Sequence, residues 1–207
     1  MSLLGLLCFA LPVAIFLLWL SQKATGASQR ASVSAAYARR GTGLYMAGKD
    51  YDSAIATFTE SLLVNPKNVA ALMGRGGAYL ERKDYADAIA DLTAAIRLNP
   101  DSTAACWAYS TRGTAYLRWG DYDKAIVDLT AAINLKPDFA DAYFARSSAY
   151  AKRFGLPADP RQWPKGAPGY DMIVADLMAA ERLTPTDPEV REFAKAILAA
   201  IRESQTT

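Results

Sequence analysis

Three arginine–aspartate couples stand at matching places along the chain, and their chemistry is that of an ion pair. They are Arg75 with Asp91, Arg112 with Asp128, and Arg146 with Asp176. A guanidinium and a carboxylate form two parallel hydrogen bonds when they meet, so we expect each couple to join two neighbouring helices. At the matching places upstream stand Gly41 and Thr57, so both partners are missing together there. The alternative is that the charges are separately solvated.

The other residues offer little for catalysis or metal binding. Histidine, the commonest general base and metal ligand, is absent from the sequence. The two cysteines are Cys8, inside an apolar segment, and Cys106, so neither a zinc site nor a disulfide is expected. We interpret Cys106 as a small buried hydrophobe, and we expect no catalytic set, metal or cofactor. An enzymatic role would gain support only from a substrate-sized cavity near residues 154–169.

A segment of about 34 residues occurs four times and sets the element pattern. The stretches KDYDSAIATFTESLLVNPK (49–67), KDYADAIADLTAAIRLNPD (83–101) and GDYDKAIVDLTAAINLKPD (120–138) are near copies, and GYDMIVADLMAAERLTPTD (169–187) is a degenerate one. The spacing between the later copies indicates insertions of 3 and 14 residues. Repetition at this period is typical of stacked helical hairpins, each of which buries its apolar face against its neighbours.

Each copy reads as two helices joined by a turn. Its apolar residues recur at i, i+3, i+4 and i+7, which predicts helices of about a dozen residues. Asp50, Asp84 and Asp121 stand where the second helix begins, a position at which aspartate caps a helix. Because glycine inside a helix is unfavourable by about 1 kcal/mol, Gly76 and Gly113 predict a close approach of the paired helix.

The repeated motifs carry a family resemblance. They are the Gly-x-x-Tyr of Gly76–Tyr79 and Gly113–Tyr116, the Tyr-x-x-Ala of Tyr51–Ala54, Tyr85–Ala88 and Tyr122–Ala125, and the closing Pro66, Pro100, Pro137 and Pro185. With the 34-residue period, they make residues 35–187 resemble tetratricopeptide repeats. Copy one departs with Thr42 in place of glycine, and copy four with Ile173 in place of alanine. The resemblance implies an all-α fold, an α-solenoid of four helical hairpins with a C-terminal cap helix.

The expected organisation follows from these boundaries. It comprises an apolar helix at 1–22, a solvated linker at 23–34, hairpins at 35–68, 69–102, 106–139 and 140–187, and a cap helix and tail at 188–207. The insertion at 154–169 contains four prolines and three glycines, so it is expected to be an irregular loop.

The resemblance also implies a concave groove lined by the first helix of each hairpin, where a partner protein binds. The groove-facing residues are expected to be Arg39, Met46, Met73, Gly77, Leu80, Trp107, Ser110, Thr114, Leu117, Phe144, Ser148 and Lys152. This face is apolar and carries few charges, which favours an extended peptide or a helix as the partner segment. The expected function is therefore that of an interaction scaffold, not of an enzyme.

Within that groove, Trp107 is expected to be the centre of the binding face, with Leu80, Leu117 and Phe144 around it. Tryptophan is enriched among the residues that dominate interfaces. The alternative is that Trp107 fills a gap between hairpins. Some relatives clamp a C-terminal carboxylate with polar side chains on these helices; Gly43, Gly74 and Gly77 stand near those positions here, so that activity is not expected.

The N-terminal segment suggests a membrane. Residues 3–20 are 18 consecutive uncharged and mostly apolar residues, and a helix of that length nearly spans the hydrocarbon core. We favour an uncleaved anchor, because no basic side chain precedes the run and it exceeds the usual length of a signal core. Cleavage near Ala24–Ala27, which would release a periplasmic or secreted protein, stays open as the alternative.

Charge places the repeats relative to that membrane. The net charge is only +2, so nucleic acid is not an expected partner, yet residues 23–49 hold five basic side chains and no acidic one. Positively charged flanks stay on the cytoplasmic side. The repeats are therefore expected in the cytoplasm, as a scaffold held at the membrane.

Overall fold

The structure of the protein is a computed structural model. It describes the backbone of residues 3–48, 50–99, 103–164, 166–183 and 188–206, and the side chains from residue 22 to residue 203 apart from those at 48–49, 100–102, 165 and 184–188. The helices are α1 (Leu3–Gly48), α2 (Tyr51–Val64), α3 (Val69–Arg82), α4 (Tyr85–Leu98), α5 (Thr103–Trp119), α6 (Tyr122–Leu135), α7 (Ala140–Arg153), α8 (Tyr170–Arg182) and α9 (Pro188–Thr206). Strands are absent from these ranges, and the predicted all-α hairpin fold is confirmed.

The chain divides into two compact units, Met1–Gly74 and Arg75–Thr207. The first unit contains α1, α2 and the beginning of α3. Its core is centred on Phe58, which is 1% exposed. A Cβ atom built on Gly41 would lie 2.8 Å from the ring of Phe58, and one on Gly74 would overlap it. The large ring therefore fits because two neighbouring helices present glycine to it.

Helix α1 runs without a break through the segment expected to be a linker. Side chains at 22–33 are exposed or half-buried, and burial begins at Ser34 and continues at Ala38 and Gly41. The segment holds no proline to break the helix, and half of residues 23–34 are Ala, Lys, Gln or Arg, which favour a helix. Within the residues whose side chains the structure describes, no helix is long and apolar enough to cross a membrane. The run at 3–20, where the sequence predicts such a span, lies outside them.

In the second unit, successive helices pack against one another in chain order. Helix α5 packs on both α4 and α6, and α7 packs on α6 and α8. A Cβ atom on Gly113 would lie 2.8 Å from Cγ of Leu129 and 3.3 Å from the carbonyl oxygen of Ala125, and Gly76 meets its own paired helix in the same way. The predicted close approach of paired helices is thus confirmed.

The predicted aspartate caps form in two of three places. The carboxylate of Asp50 accepts a hydrogen bond from the amide of Ser53 at 3.1 Å, and that of Asp121 accepts one from the amide of Lys124 at 3.3 Å. Asp84 makes no such cap bond; its carboxylate pairs with Arg82 instead.

The two insertions are accommodated differently. The three extra residues before the third copy lengthen its first helix, since α5 has 17 residues and α3 and α7 have 14 each. The described part of the insertion at 154–169 is irregular apart from a 3-10 turn at Pro160–Gln162. Within the insertion, Nε1 of the Trp163 indole donates to the carbonyl of Pro157 at 2.8 Å. Gly169 has a φ of 78° and lies against the ring of Phe154.

Helix α9 covers the end of the second unit. Its buried residues are Ala194, Leu198 and Ile201, which pack with Ile173 and Leu177 of α8. Phe193, by contrast, is 61% exposed. The cap helix therefore closes the apolar core and leaves one aromatic ring on its surface.

Candidate partner-binding face

The groove residues predicted in the first unit are accessible to different extents. Arg39 is exposed on α1, as is Met46, which is 76% exposed. Met73 on α3 is half-buried. This unit thus offers accessible side chains at the expected positions.

On α5 of the second unit, half-buried side chains form one stripe along the helix. Trp107, Thr111, Thr114 and Leu117 recur at three- and four-residue intervals, which places them on one helix face. Ser110, in contrast, is 8% exposed, and Leu80 on α3 is 5% exposed. Neither of these two predicted groove residues presents a usable surface to a partner.

Trp107 is held by its own neighbours. Its ring meets that of Phe139 edge-on, with centroids 4.4 Å apart, and the ammonium of Lys136 lies 5.4 Å from the Trp107 centroid. Leu117 packs against the same core cluster, whereas Phe144 packs against the cluster of α8 and α9, and Leu80 belongs to a third cluster with Ala88 and Ala115. The four side chains predicted to form one centre therefore belong to three clusters.

On α7, two of the predicted groove residues line a cavity. Phe144 and Ser148 are half-buried and Lys152 is exposed, at intervals of four residues along one helix face. Ser148 and Lys152 also line a cavity of about 590 Å³ that is partly open to solvent. That volume lies within the range of about 300–1,000 Å³ that is typical of ligand sites.

The walls of this cavity come from α7, the insertion, α9 and, through Leu177, α8. Sequence reasoning identified only α7 among them. The insertion contributes Leu156, Pro157, Ala158, Asp159, Pro160, Arg161 and Trp163, and helix α9 contributes Phe193, Ala196, Ile197, Ala199, Ala200 and Glu203. The signal available in the sequence was the pairing of a proline-rich insertion with a cap helix rich in alanine.

Because a substrate-sized cavity near residues 154–169 would support an enzymatic role, the polar groups that line this cavity are relevant to function. Ser147 and Ser148 both donate their hydroxyl hydrogens to the carbonyl of Phe144, at 2.7 and 3.1 Å. Asp159 accepts a hydrogen bond from Nε of Arg161 at 3.0 Å, and the bonds from Arg161 lower the pKa of that carboxyl. The two serine hydroxyls and this carboxylate are thus engaged in hydrogen bonds within the protein.

The three arginine–aspartate couples are joined in the structure as the sequence predicts. In each, the guanidinium Nε and Nη2 donate to the two carboxylate oxygens at 2.7–2.9 Å. For the pair of Arg112 and Asp128, the side chains are only 16% and 6% exposed. The hydrogen bonds that the arginines donate to the aspartates raise the pKa of all three arginines. Each couple therefore ties the two helices of its hairpin together.

Two threonines extend these pairs to the preceding hairpin, which sequence reasoning missed. Nη1 of Arg112 donates to the hydroxyl of Thr93 at 2.8 Å, and Nη1 of Arg146 donates to that of Thr130 at 3.0 Å. Thr93 lies on α4 and Thr130 on α6, so each arginine bridges two successive hairpins.

The remaining candidate for chemistry is the thiol of Cys106, which is buried as predicted. Burial raises its pKa, so the thiol is protonated and unreactive at neutral pH. In the part of the chain that the structure describes, no group of three potential metal ligands comes together.

The comparisons with known proteins agree with this architecture. A model described as Tetratricopeptide repeat matches residues 39–103, and one described as TPR repeat matches residues 113–153. The chain belongs to the tetratricopeptide repeat family. Proteins with these repeats are generally interaction scaffolds without catalytic activity of their own. The search of the curated proteins gives no match.

Several solved tetratricopeptide structures are similar. The first such domain of Spaghetti (RPAP3), bound to the HSP90 peptide SRMEEVD, is 30% identical with a TM-score of 0.52, covering 59% of this chain and 91% of that one. The second domain of human RPAP3, in complex with the HSP70 peptide SGPTIEEVD, is 28% identical with a TM-score of 0.53, covering 57% and 97%. The MamA protein shares the fold at 22% identity and a TM-score of 0.61, covering 84% and 86%.

Proposed function

We propose that this tetratricopeptide repeat protein is an interaction scaffold that binds a peptide segment or helix of a partner protein along the first helices of its hairpins. The observation that carries the proposal is the face of α7, on which Phe144, Ser148 and Lys152 lie in line and the last two line a cavity. Two of the similar structures are complexes with peptides. We propose the same mode of binding, to a peptide segment, for this chain, but not the same partners.

Of the predicted groove residues, those that remain available on α5 and α7 define the proposed binding surface. They are Trp107, Thr114, Leu117, Phe144, Ser148 and Lys152. Trp107 is half-buried, and its ring is held in place by contact with the ring of Phe139, so it forms a fixed part of the proposed binding surface. A preformed wall of this kind loses little conformational entropy when a partner binds.

A pair of arginine substitutions tests the proposal. Thr114→Arg introduces a long charged side chain on the α5 stripe, and Val127→Arg introduces the same side chain at a 68% exposed site on the second helix α6. We expect affinity capture with the full chain to recover the same partner with wild type and Val127→Arg, and at least tenfold less with Thr114→Arg. Equal recovery with all three proteins, at matched melting temperatures, would overturn the proposal.

We also propose that the scaffold is held at a membrane by residues 3–20, with its repeats in the cytoplasm. The support is the sequence itself: 18 uncharged residues followed by five basic side chains at 23–49. The mass of the mature N-terminus and protease accessibility in sealed vesicles test the two parts. A mature chain that begins between Ala24 and Ser28 would favour release after signal cleavage, and repeats protected inside vesicles would overturn the orientation.

A further inference from the structure

The cavity of about 590 Å³ at the end of α7 is walled in part by the insertion, which interrupts only the fourth copy. We propose that this cavity binds a small uncharged apolar molecule, an aromatic or aliphatic compound with few polar atoms. Ser148 and Lys152 belong both to its lining and to the proposed peptide surface. The inference nevertheless goes beyond the proposed function, because such a ligand needs no partner protein.

The walls present apolar side chains from three elements. Leu156 and Trp163 come from the insertion, Leu177 comes from α8, and Phe193 and Ile197 come from α9. Three alanines of α9 line the cavity as well, and their short side chains leave its volume open. Small-molecule sites of this size are lined mainly by apolar and aromatic groups. Transfer of an apolar ligand from water to such walls is favourable.

The charges of the lining cancel. Its described charged residues are two cations, Lys152 and Arg161, and two carboxylates, Asp159 and Glu203. Arg161 pairs with Asp159 at 3.0 Å. Lys152, Arg161 and Glu203 are exposed, so their charged groups can stay in water at the mouth of the cavity. A charged ligand would lose hydration here without meeting an excess of the opposite charge, and the lining therefore favours an uncharged one.

The hydrogen-bond donors of the lining favour a small molecule over a peptide. The hydroxyls of Ser147 and Ser148 donate to the carbonyl of Phe144, and Nε1 of Trp163 donates to the carbonyl of Pro157. The prolines of the insertion have no amide hydrogen. A peptide seated in the cavity would bury backbone carbonyls that need donors, whereas an apolar molecule needs none.

Photolabelling with benzophenone, which is uncharged and apolar, tests the proposal on the full chain in detergent micelles. Trypsin then releases two peptides that contain cavity walls, residues 154–161 and 196–202. We expect their labelling to saturate as the free benzophenone concentration, measured in a micelle-free filtrate, is raised. Residues 98–112, whose described members lie outside the lining, form the reference peptide, and its labelling should rise only in proportion to concentration.

Two charged benzophenones test the preference for an uncharged ligand. On the same pair of rings, 4-benzoylbenzoate carries a carboxylate and (4-benzoylbenzyl)trimethylammonium carries a fixed positive charge. We expect the half-saturating free concentration of each to be at least tenfold higher than that of benzophenone. If either charged compound labels the two cavity peptides as readily as benzophenone does, the preference is refuted.

Tryptophan substitutions narrow the cavity from exposed positions of its lining. Ala196→Trp and Ala199→Trp should each raise the half-saturating concentration of benzophenone at least tenfold, and either variant carries the test if the other does not fold. Ala175→Trp is the matched control, since Ala175 is also exposed but lines a different surface, between α8 and α9. It should leave the half-saturating concentration within twofold of that of wild type.

The proposal is overturned if labelling of residues 154–161 and 196–202 does not saturate. It is also overturned if both tryptophan variants saturate like wild type at matched melting temperatures. Neither result bears on the peptide surface, which Thr114→Arg and Val127→Arg test separately by partner capture. Saturable labelling, conversely, would support the cavity as a ligand site even if that capture failed.

Discussion

The first hairpin and the third solve the same packing problem with different chemistry. In the third, Arg112 and Asp128 join α5 to α6 through two charged hydrogen bonds. In the first, the hydroxyls of Ser34 and Ser61 lie 3.0 Å apart, and Nδ2 of Asn68 donates to both, at 2.8 and 3.1 Å. The first hairpin, which lacks the ion pair, is thus joined by a neutral network that lies about two turns before Gly41 on α1 and about one turn after Thr57 on α2.

The apolar cores differ in the same complementary way. Phe58 in the first hairpin occupies the place of Leu129 in the third, and the glycines that make room for it are Gly41 and Gly74 instead of a counterpart of Gly113. The counterpart of Gly113 is Thr42, whose hydroxyl donates to the carbonyl of Ala38 in its own helix. The hairpin geometry is therefore retained by exchanging large and small residues together, and the two hairpins should fail under different perturbations.

The largest expected difference is the response to loss of a carboxylate. Asp128→Ala leaves the largely buried guanidinium of Arg112 without its partner, which should lower the free energy of unfolding by about 3–5 kcal/mol. Urea denaturation of the full chain in detergent measures it. The double variant Arg112→Met with Asp128→Leu should recover most of the loss; if it is as unstable as Asp128→Ala, an unpaired charge is not the cause.

Adding a methyl group beside the buried ring of Phe58 should destabilise the first hairpin. Gly74→Ala drives a Cβ atom into the buried ring of Phe58, and we expect a loss of about 1–3 kcal/mol. Combining it with Phe58→Leu should relieve most of the clash. Gly43→Ala is the matched control, since a Cβ atom there meets nothing within 4 Å and should stabilise the helix by up to about 1 kcal/mol. Equal effects at Gly74 and Gly43 would contradict the packing described.

A smaller loss is expected from the neutral network. Ser61→Ala removes the hydroxyl that donates to the carbonyl of Ser34 at 2.7 Å and that accepts from Asn68. We expect the free energy of unfolding to fall by about 1–2 kcal/mol, and this loss to be the same at low and high salt. A loss as large as that of Asp128→Ala, or one that changes with salt, would remove the distinction between the two hairpins.

The helix caps give the smallest effect, and it depends on pH. Hydrogen bonds from Ser53 lower the pKa of Asp50, so its contribution is complete above the pKa of the unfolded chain and is lost as the pH falls through the folded value. Asp50→Asn should therefore be slightly less stable than wild type at pH 7, and the difference should shrink as the pH falls through the folded pKa of Asp50. Asp84→Asn removes no cap bond and serves as the comparison. If the stability difference between Asp50→Asn and wild type grew as the pH was lowered, the direction of the pKa shift would be contradicted.

Periodicity predicted much of this fold, because the repeat length and the i, i+3, i+4 spacing of apolar residues are local properties. The ion pairs could also be predicted, since Arg112 and Asp128 recur together in other copies and are lost together in the first. Leu80 could not be placed correctly from its helix alone: it is buried by Ala88 and by Ala115 of the next hairpin. The cavity was missed for a similar reason, because its walls meet only after the insertion has packed on α9.

Site-specific photo-crosslinking tests the central claim most directly. A benzoyl-phenylalanine would replace Thr114 or Ser148 on the first helices, and Val127 or Met178 on the second, in chains expressed in intact cells. The account predicts a crosslinked adduct of one defined mass from Thr114 and Ser148, and none of that mass from Val127 or Met178. An adduct that forms only from Val127 or Met178 would contradict it, because the partner would then bind the opposite face of the hairpins.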